Sequence, residues 1–304
     1  MRILVINNLE AGLQDASIFS FIRHFSKDGD EIVVRNSASI TDCRAHLFDA
    51  ETFDAVVCAG GDGTVANVAY AMKYTRIPLL PYPAGTANLL ALNLYAPTDN
   101  PALATLTHRL NTLSFDLGEI ELNNTDKIGF SIMAGAGYDA DIMKGAAPDK
   151  KLLGPLSYAK SAVTQLSPTH SKITLNIDGE TITTEGIGVL VVNFSRIQFD
   201  ISVIHECKPR DGMLDVVVLH TKGAVGLIPA LFSAMLDRGG DFPGRTSAMK
   251  VYSGHEVEVI CDPPLPIQYD GELAHAKTPF KARALPLATN LIVSDEAMKK
   301  YSNI

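Results

Sequence analysis

Ala55-Val56-Val57-Cys58, Gly60-Gly61-Asp62-Gly63-Thr64, and then Val65, Val68, Ala69 and Met72 set a short apolar run, a glycine-rich turn and a helical stripe in direct succession. Four apolar residues are too few for a helix and read as a buried strand, while the i, i+3, i+4, i+7 recurrence that follows reads as a helix. The pattern repeats outward in both directions. Upstream, Arg2 to Ile6 is a strand, Ile18, Phe21, Ile22 and Phe25 form a helical stripe, and Glu31 to Val34 is the next strand. Thr41 or Asp42 is placed to cap a second helix carrying Cys43, Leu47 and Ala50. Downstream, Ile77 to Tyr82 is a strand, Pro83 to Gly85 a turn, and Ala87, Leu90, Ala91 and Leu94 a stripe. This is a βαβαβαβα unit with a parallel sheet.

Beyond Pro97 and Pro101 the rhythm changes. One helix is expected through His108, then strands at Leu113 to Leu122, Gly129 to Ala134, Lys172 to Ile177, Gly188 to Phe194, Leu214 to His220, Glu256 to Cys261 and Lys281 to Leu285. Two helices are expected near Pro155 to Leu166 and Ala224 to Leu236. A chain of 304 residues, 46% hydrophobic, is long enough for two globular units.

Composition narrows the function classes. A formal net charge of −8 supplies no basic footprint for nucleic acid and weakens general attraction to anionic lipid. No run of about 18 apolar residues occurs, so no transmembrane segment is expected, and the N-terminus reads as a strand rather than a signal peptide. A cytoplasmic protein is expected, meeting membranes only transiently. Cys43, Cys58, Cys207 and Cys261 are widely spaced and read as small core residues. No H-E-x-x-H and no serine in G-x-S-x-G supports a metalloprotease or serine hydrolase.

The glycines of Gly60 to Thr64 let the backbone approach a bound group and adopt positive φ, and the helix that follows offers free N–H groups to an anion. Phosphate suits that geometry; a tight strand-to-helix turn is the plainer alternative. Asp62 beside a phosphate calls for an intervening Mg²⁺. Pro83-Ala84-Gly85-Thr86-Ala87-Asn88 repeats the arrangement one βα unit later, and loops at the carboxyl ends of parallel strands gather on one side. Thr86 and Asn88 can offer neutral hydrogen bonds to phosphate or ribose, although ordinary N-capping by Thr86 accounts for it equally well.

At these turns the chain resembles the diacylglycerol kinase catalytic-domain family, which includes bacterial diacylglycerol and sphingoid-type lipid kinases and is related to the NAD kinases. The resemblance rests on GGDGT at Gly60 to Thr64, GTAN at Gly85 to Asn88, Arg210-Asp211-Gly212-Met213-Leu214-Asp215, and Asp270-Gly271-Glu272. It implies an N-terminal three-layer α/β nucleotide-binding domain, residues 1–112 joined by 286–304, and a C-terminal β-sandwich lipid-substrate domain, 113–285, with the active site in the cleft between them. It further implies that ATP is held by Gly60, Gly61, Asp62, Gly63, Thr64, Gly85, Thr86 and Asn88, with Asp62 also acting in catalysis. Glu272 would be the base that takes the acceptor's proton, and Asp211 with the carbonyls of Lys208 and Met213 would bind a structural Mg²⁺. The implied reaction moves the γ-phosphate of ATP to a lipid hydroxyl, diacylglycerol first among the acceptors.

The triplet Asp-Gly-Glu also occurs at Asp178 to Glu180, where it reads as a hairpin turn. Two stretches depart from the family: Asn7-Asn8-Leu9-Glu10-Ala11-Gly12 lacks the usual proline and serine, and Leu89-Leu90 stands where many members have Asp-Phe. Lys144, Lys150, Lys151 and Arg210 are candidates for the γ-phosphate, Gly135-Ala136-Gly137 is a turn, and Leu152 to Tyr158 is an apolar stretch that could touch lipid. NAD kinase is the nearest rival, but the chain contains no Asn-Glu pair; a non-catalytic nucleotide- or lipid-sensing relative is the other. A homodimer through an exposed sheet edge stays open.

Overall fold

The computed structural model describes residues 1–11, 16–123, 126–137, 140, 168–197, 201–202, 204, 207–221 and 248–302. The expected helices near 155–166 and 224–236, the apolar stretch at 152–158, and Lys144, Lys150 and Lys151 lie outside these residues. The chain divides into two compact units, 1–117 with 286–304, and 118–285.

The first unit alternates strand and helix: β1 (Arg2–Asn8), α1 (Ser17–Phe25), β2 (Glu31–Ser37), α2 (Ile40–Ala45), β3 (Ala55–Gly60), α3 (Asp62–Ala71), β4 (Leu79–Pro83), α4 (Leu89–Asn93) and α5 (Asn100–Arg109). Its strands lie in the order β2-β1-β3-β4, all parallel, with Ile3 opposite both Ile32 and Ala55, and Val56 opposite Leu79. Ile3, Val5, Ala55, Val57, Leu80 and Tyr82 on one face pack against Phe21 and Phe25 of α1 and Leu103 and Leu106 of α5. The alternate residues Leu4, Ile6, Val56 and Cys58 are buried as well, on the side where α2 meets β1 and α3 meets β3. Burial on both faces explains why these strands are unbroken apolar runs and makes the unit three-layered. The order reverses between β1 and β3, so the crevice outside their carboxyl ends is where such a sheet receives a ligand.

Two local expectations are corrected here. Ser39, not Thr41 or Asp42, caps α2, its Oγ accepting the Asp42 N–H at 3.1 Å. The helix stops at Ala45, leaving Leu47 outside it and Ala50 in a 3₁₀ turn.

The second unit is built from antiparallel strands: the last part of β5 (Thr112–Leu122), β6 (Asp126–Phe130), β7 (Met133–Gly137), β8 (Ser171–Ile177), β9 (Glu180–Gly186), β10 (Gly188–Val192), β11 (Arg196–Ile197), β12 (Ile201–Ser202), β13 (Leu214–Leu219), β14 (Met249–Gly254), β15 (Glu256–Asp262), β16 (Pro266–Tyr269), β17 (Glu272–Lys277) and the first part of β18 (Phe280–Ile292). One sheet runs β14-β13-β10-β7-β16-β17, and the other contains β18-β15-β8-β9. Residues two apart supply the core between them: Ile173, Leu175 and Ile177; Val189 and Val191; Leu214, Val216 and Val218; Val257, Val259 and Cys261. That period of two, from both sheets into one core, makes a β-sandwich. The helix α6 (Asp295–Tyr301) closes the chain within the first unit, capped by Ser294.

Here too the strands differ from expectation. The run Gly129 to Ala134 is two strands, broken at Ser131 and Ile132, and Gly135-Ala136-Gly137 lies inside β7 rather than in a turn. Gly137 is glycine because its φ is +97° and a Cβ would sit 2.4 Å from the Ile187 carbonyl oxygen. β18 extends well past Leu285, although Pro286 lacks an N–H and reads as a break.

Candidate functional site

The β3–α3 junction differs from a plain turn. Gly60 ends the strand, and Asp62, Gly63 and Thr64 already form the first turn of α3, so the helix starts three residues before Val65. No positive φ occurs at Gly60, Gly61, Gly63 or Gly85, so handedness does not explain these glycines, and at Gly60 and Gly85 close approach does. A Cβ on Gly60 would lie 2.6 Å from the Thr64 Cβ, and one on Gly85 would lie 2.6 Å from the Gly61 Cα. The two glycine turns therefore touch backbone to backbone.

Gly61 itself is different. Its φ of −76° and ψ of 173° suit any residue, and a Cβ there would meet nothing within 4 Å. Neither its conformation nor packing among the described residues asks for glycine at this position. It is also the N-cap of α3, whose first turn has no side-chain cap, so its leading amides keep the partial positive charge of a helix N-terminus.

Asp62 joins the two turns. Its Oδ1 accepts the Leu89 N–H at 2.6 Å, at the start of α4. Asn88, in the left-handed region at φ 51°, accepts the Gly85 N–H on Oδ1 at 2.7 Å and donates from Nδ2 to the Gly85 carbonyl at 2.9 Å. Thr86 is half-buried between them and does not cap α4, because the first amide of that helix is taken by Asp62. The space enclosed by Gly60, Asp62, Tyr82, Asn88 and Leu90 is about 10 Å³, room for a water-sized group and not for a phosphate chain.

Sequence reasoning missed Asn8. At the carboxyl end of β1 its Nδ2 donates to Thr64 Oγ1 at 2.8 Å, tying the altered first loop to α3. Its signal was available: an asparagine ending the strand that neighbours β3 at the reversal of strand order.

In the second unit, both Asp-Gly-Glu triplets are the same backbone device. Asp178 and Gly179 have φ of 49° and 91°, Asp270 and Gly271 have 42° and 83°, and each pair forms a two-residue hairpin loop, with Ile177 opposite Glu180 and Tyr269 opposite Glu272. Positive φ at both central residues is the type I′ turn that favours Asp-Gly. Glu180 and Glu272 are both exposed. What separates the turns is the aspartate. Asp178 is exposed and accepts the amides of His255 and Glu256, which hold its carboxyl below the usual range, the His255 amide being the larger cause. Asp270 is buried and accepts the amides of Ser131 (2.6 Å), Ile132 (2.8 Å) and Met133 (3.0 Å) as well as the Ser131 hydroxyl (3.0 Å). That convergence is why β6 and β7 are separate strands.

Lys208, Asp211 and Met213 share one turn. The Lys208 carbonyl accepts the amides of Arg210 at 2.8 Å and Asp211 at 3.4 Å, and Asp211 Oδ1 accepts the Met213 amide at 2.9 Å. Carboxylate and carbonyl oxygens are the donor type that hard cations use. Asp215, two residues past Met213, has its carboxyl pushed up, first by burial and further by the charge of Asp211. Cys43, Cys58 and Cys261 are buried free thiols whose ionisation burial opposes, as core residues require. Among the described residues no cluster of three or more His, Cys, Asp or Glu is placed to hold a metal, and no helix is long and apolar enough to cross a membrane.

Comparison with known proteins gives this geometry a context. Residues 2–120 match the diacylglycerol kinase catalytic domain, and residues 132–293 match the YegS C-terminal NAD kinase beta sandwich-like domain. A Stenotrophomonas maltophilia protein named "Probable lipid kinase YegS-like" is 25% identical over 296 residues, covering 93% of each chain. A Synechocystis protein described as uncharacterized is 28% identical over 260 residues, 82% of this chain but only 57% of its own length. The crystal structure of a diacylglycerol kinase from Bacillus anthracis superposes with a TM-score of 0.77 at 20% identity, covering 97% of this chain and 98% of the other. With the second of these family matches spanning more than half its residues, the chain belongs to the diacylglycerol kinase catalytic-domain family, in the branch that carries a YegS-type C-terminal β-sandwich.

Proposed function

We propose that the protein is an ATP- and Mg²⁺-dependent lipid kinase that transfers the γ-phosphate of ATP to the hydroxyl of a lipid, diacylglycerol giving phosphatidic acid. One observation carries the nucleotide half of this reading: at Gly61 no described residue lies within 4 Å of where a Cβ would sit, directly over the first turn of α3, which has no side-chain cap. Space kept clear beside a helix start that has no side-chain cap suits a phosphate that comes from outside. Gly60, Gly61, Gly63 and Thr64 line the seat, and Gly85, Thr86 and Asn88 flank it from the second turn. The match to the lipid-kinase family supports the acceptor class.

In this reading the Asp62 carboxylate, which keeps α4 in place by accepting the Leu89 N–H, also serves the cation. Bound Mg²⁺ supplies neutralisation of phosphate charge. Glu272, exposed at its hairpin, accepts the proton of the acceptor hydroxyl as that oxygen bonds to the γ-phosphorus and the bond to the ADP oxygen breaks. Asp211, with the carbonyls of Lys208 and Met213, is the proposed seat of a second, structural cation.

The test is incubation with γ-labelled ATP, Mg²⁺ and detergent-dispersed diacylglycerol, sphingosine, ceramide, phosphatidylglycerol or NAD⁺. Label in phosphatidic acid supports the proposal. Label only in NADP⁺ replaces it with NAD kinase, and ATP binding without any labelled product replaces it with a sensor.

A further inference from the structure

We propose that Asp270 is a positioning residue for Glu272: its buried carboxylate gathers the amides of Ser131, Ile132 and Met133 and so fixes the hairpin from which Glu272 projects. The inference rests on the reading of Glu272 as the proton acceptor and goes beyond it in saying what holds that carboxylate still.

The chain contains its own control. A type I′ turn needs nothing from the aspartate side chain beyond compatibility with positive φ, and Asp178 meets that need while exposed, bonding among the described residues to the adjacent strand end at His255 and Glu256. Asp270 makes the same turn and does more. Three successive amides and one hydroxyl aim at its two oxygens, a cradle of the kind that backbone builds for an anion. Forming it interrupts a strand, because Ser131 and Ile132 leave the ladder to point at the carboxylate.

The cradle is itself anchored. The Asn193 Nδ2 donates to the Ser131 carbonyl at 2.9 Å, and the Asn193 amide to the Ile132 carbonyl at 2.8 Å. On the near side, the Asp270 amide donates to the Met133 carbonyl at 2.9 Å, and buried Gln268 accepts the Gly271 N–H at 3.2 Å. Every residue of the turn up to Gly271 is thus tied to β7 or to its own strand, while Glu272 alone is turned outward. A general base tolerates little displacement from its proton, so a rigid mount under a free carboxylate is what proton abstraction asks for.

The test is steady-state kinetics with γ-labelled ATP and the lipid panel above. Asp270→Asn keeps the volume but sets an amide N–H₂ against one of the donors; it should lower kcat by about 10-fold or more while KM for ATP stays within about twofold. Ser131→Ala, which removes only the hydroxyl contact, should show the same split at smaller size, and Asp178→Asn should leave kcat unchanged. Combined with Glu272→Gln, Asp270→Asn should cost nothing further, because a mount without its base has no kinetic role. Parental kcat in both Asp270→Asn and Ser131→Ala, with Glu272→Gln inactive, overturns the positioning role alone. Parental kcat in Glu272→Gln defeats the base reading itself, a separate and recognisable failure.

Discussion

The Asp62 carboxylate accepts the backbone N–H of Leu89 across 27 residues of sequence, at 2.6 Å. Leu89, which stands where the resembled family's pattern implies an aspartate, thus meets Asp62 through its main chain, which a leucine supplies as well as an aspartate. Asp62 thereby holds together two turns already in contact at Gly61 and Gly85.

Two roles for Asp62 separate by substitution. Asp62→Asn keeps an acceptor for the Leu89 amide and removes the charge, whereas Asp62→Ala removes both. Asp62→Ala should lower stability by about 1 kcal/mol in urea titration, as loss of a helix cap does, and Asp62→Asn by much less. Both should lower kcat by about 100-fold if the charge serves the triphosphate. An Asp62→Asn protein with parental kcat would reduce Asp62 to a cap.

Glycines packed against their neighbours should behave as structural residues. A Cβ on Gly85 meets backbone at Gly61, and one on Gly60 meets the Thr64 side chain, both at 2.6 Å. Each alanine variant should lose about 1–3 kcal/mol in chemical denaturation, the usual cost of overpacking. Unchanged urea midpoints would show that the turns yield.

Acid should weaken the two aspartates in opposite senses. Asp178 has a lowered folded pKa, so its contribution to stability is present above the unfolded carboxyl value and is lost as pH falls through the folded one. The stability difference between parent and Asp178→Asn should therefore shrink as pH falls from about 5 toward about 2. Asp215 has a raised folded pKa, owing mainly to burial, so it withholds stability as pH rises through that region, and Asp215→Asn should gain on the parent toward neutral pH. Denaturation midpoints from about pH 2 to about pH 7 check both signs.

A cation at the Lys208–Met213 turn should register as stability. Mg²⁺ that binds only the folded protein raises Tm with concentration. Parent protein should show that rise without nucleotide, and Asp211→Asn should lose most of it. Equal responses would remove Asp211 from the proposed site.

Much of this could be read from the chain before any coordinates. The apolar run at Ala55 to Cys58 and the stripe from Val65 declare a βα unit because period and length are local properties. The start of α3 was hidden, since Gly60, Gly61 and Gly63 are poor helix formers and disguise a first turn as a loop. Thr86 looked like a cap because its true competitor, Asp62, is distant in sequence. The two Asp-Gly-Glu triplets are identical in sequence and in backbone, and only partners 137 to 139 residues away distinguish Asp270 from Asp178. Local chemistry specified the turn, while long-range contacts decided which aspartate is buried.

The account turns on the uncapped amides beside Gly61, and equilibrium binding of ATP to the parent and to Gly61→Ala addresses that directly. Because a Cβ at this position meets nothing within 4 Å among the described residues, Gly61→Ala should cost no more than the ~1 kcal/mol of a poorer N-cap in urea titration while weakening ATP binding by about 10-fold or more, a loss of roughly 1.4 kcal/mol or more. Parental affinity for ATP in Gly61→Ala, or no measurable affinity in either protein, would contradict it.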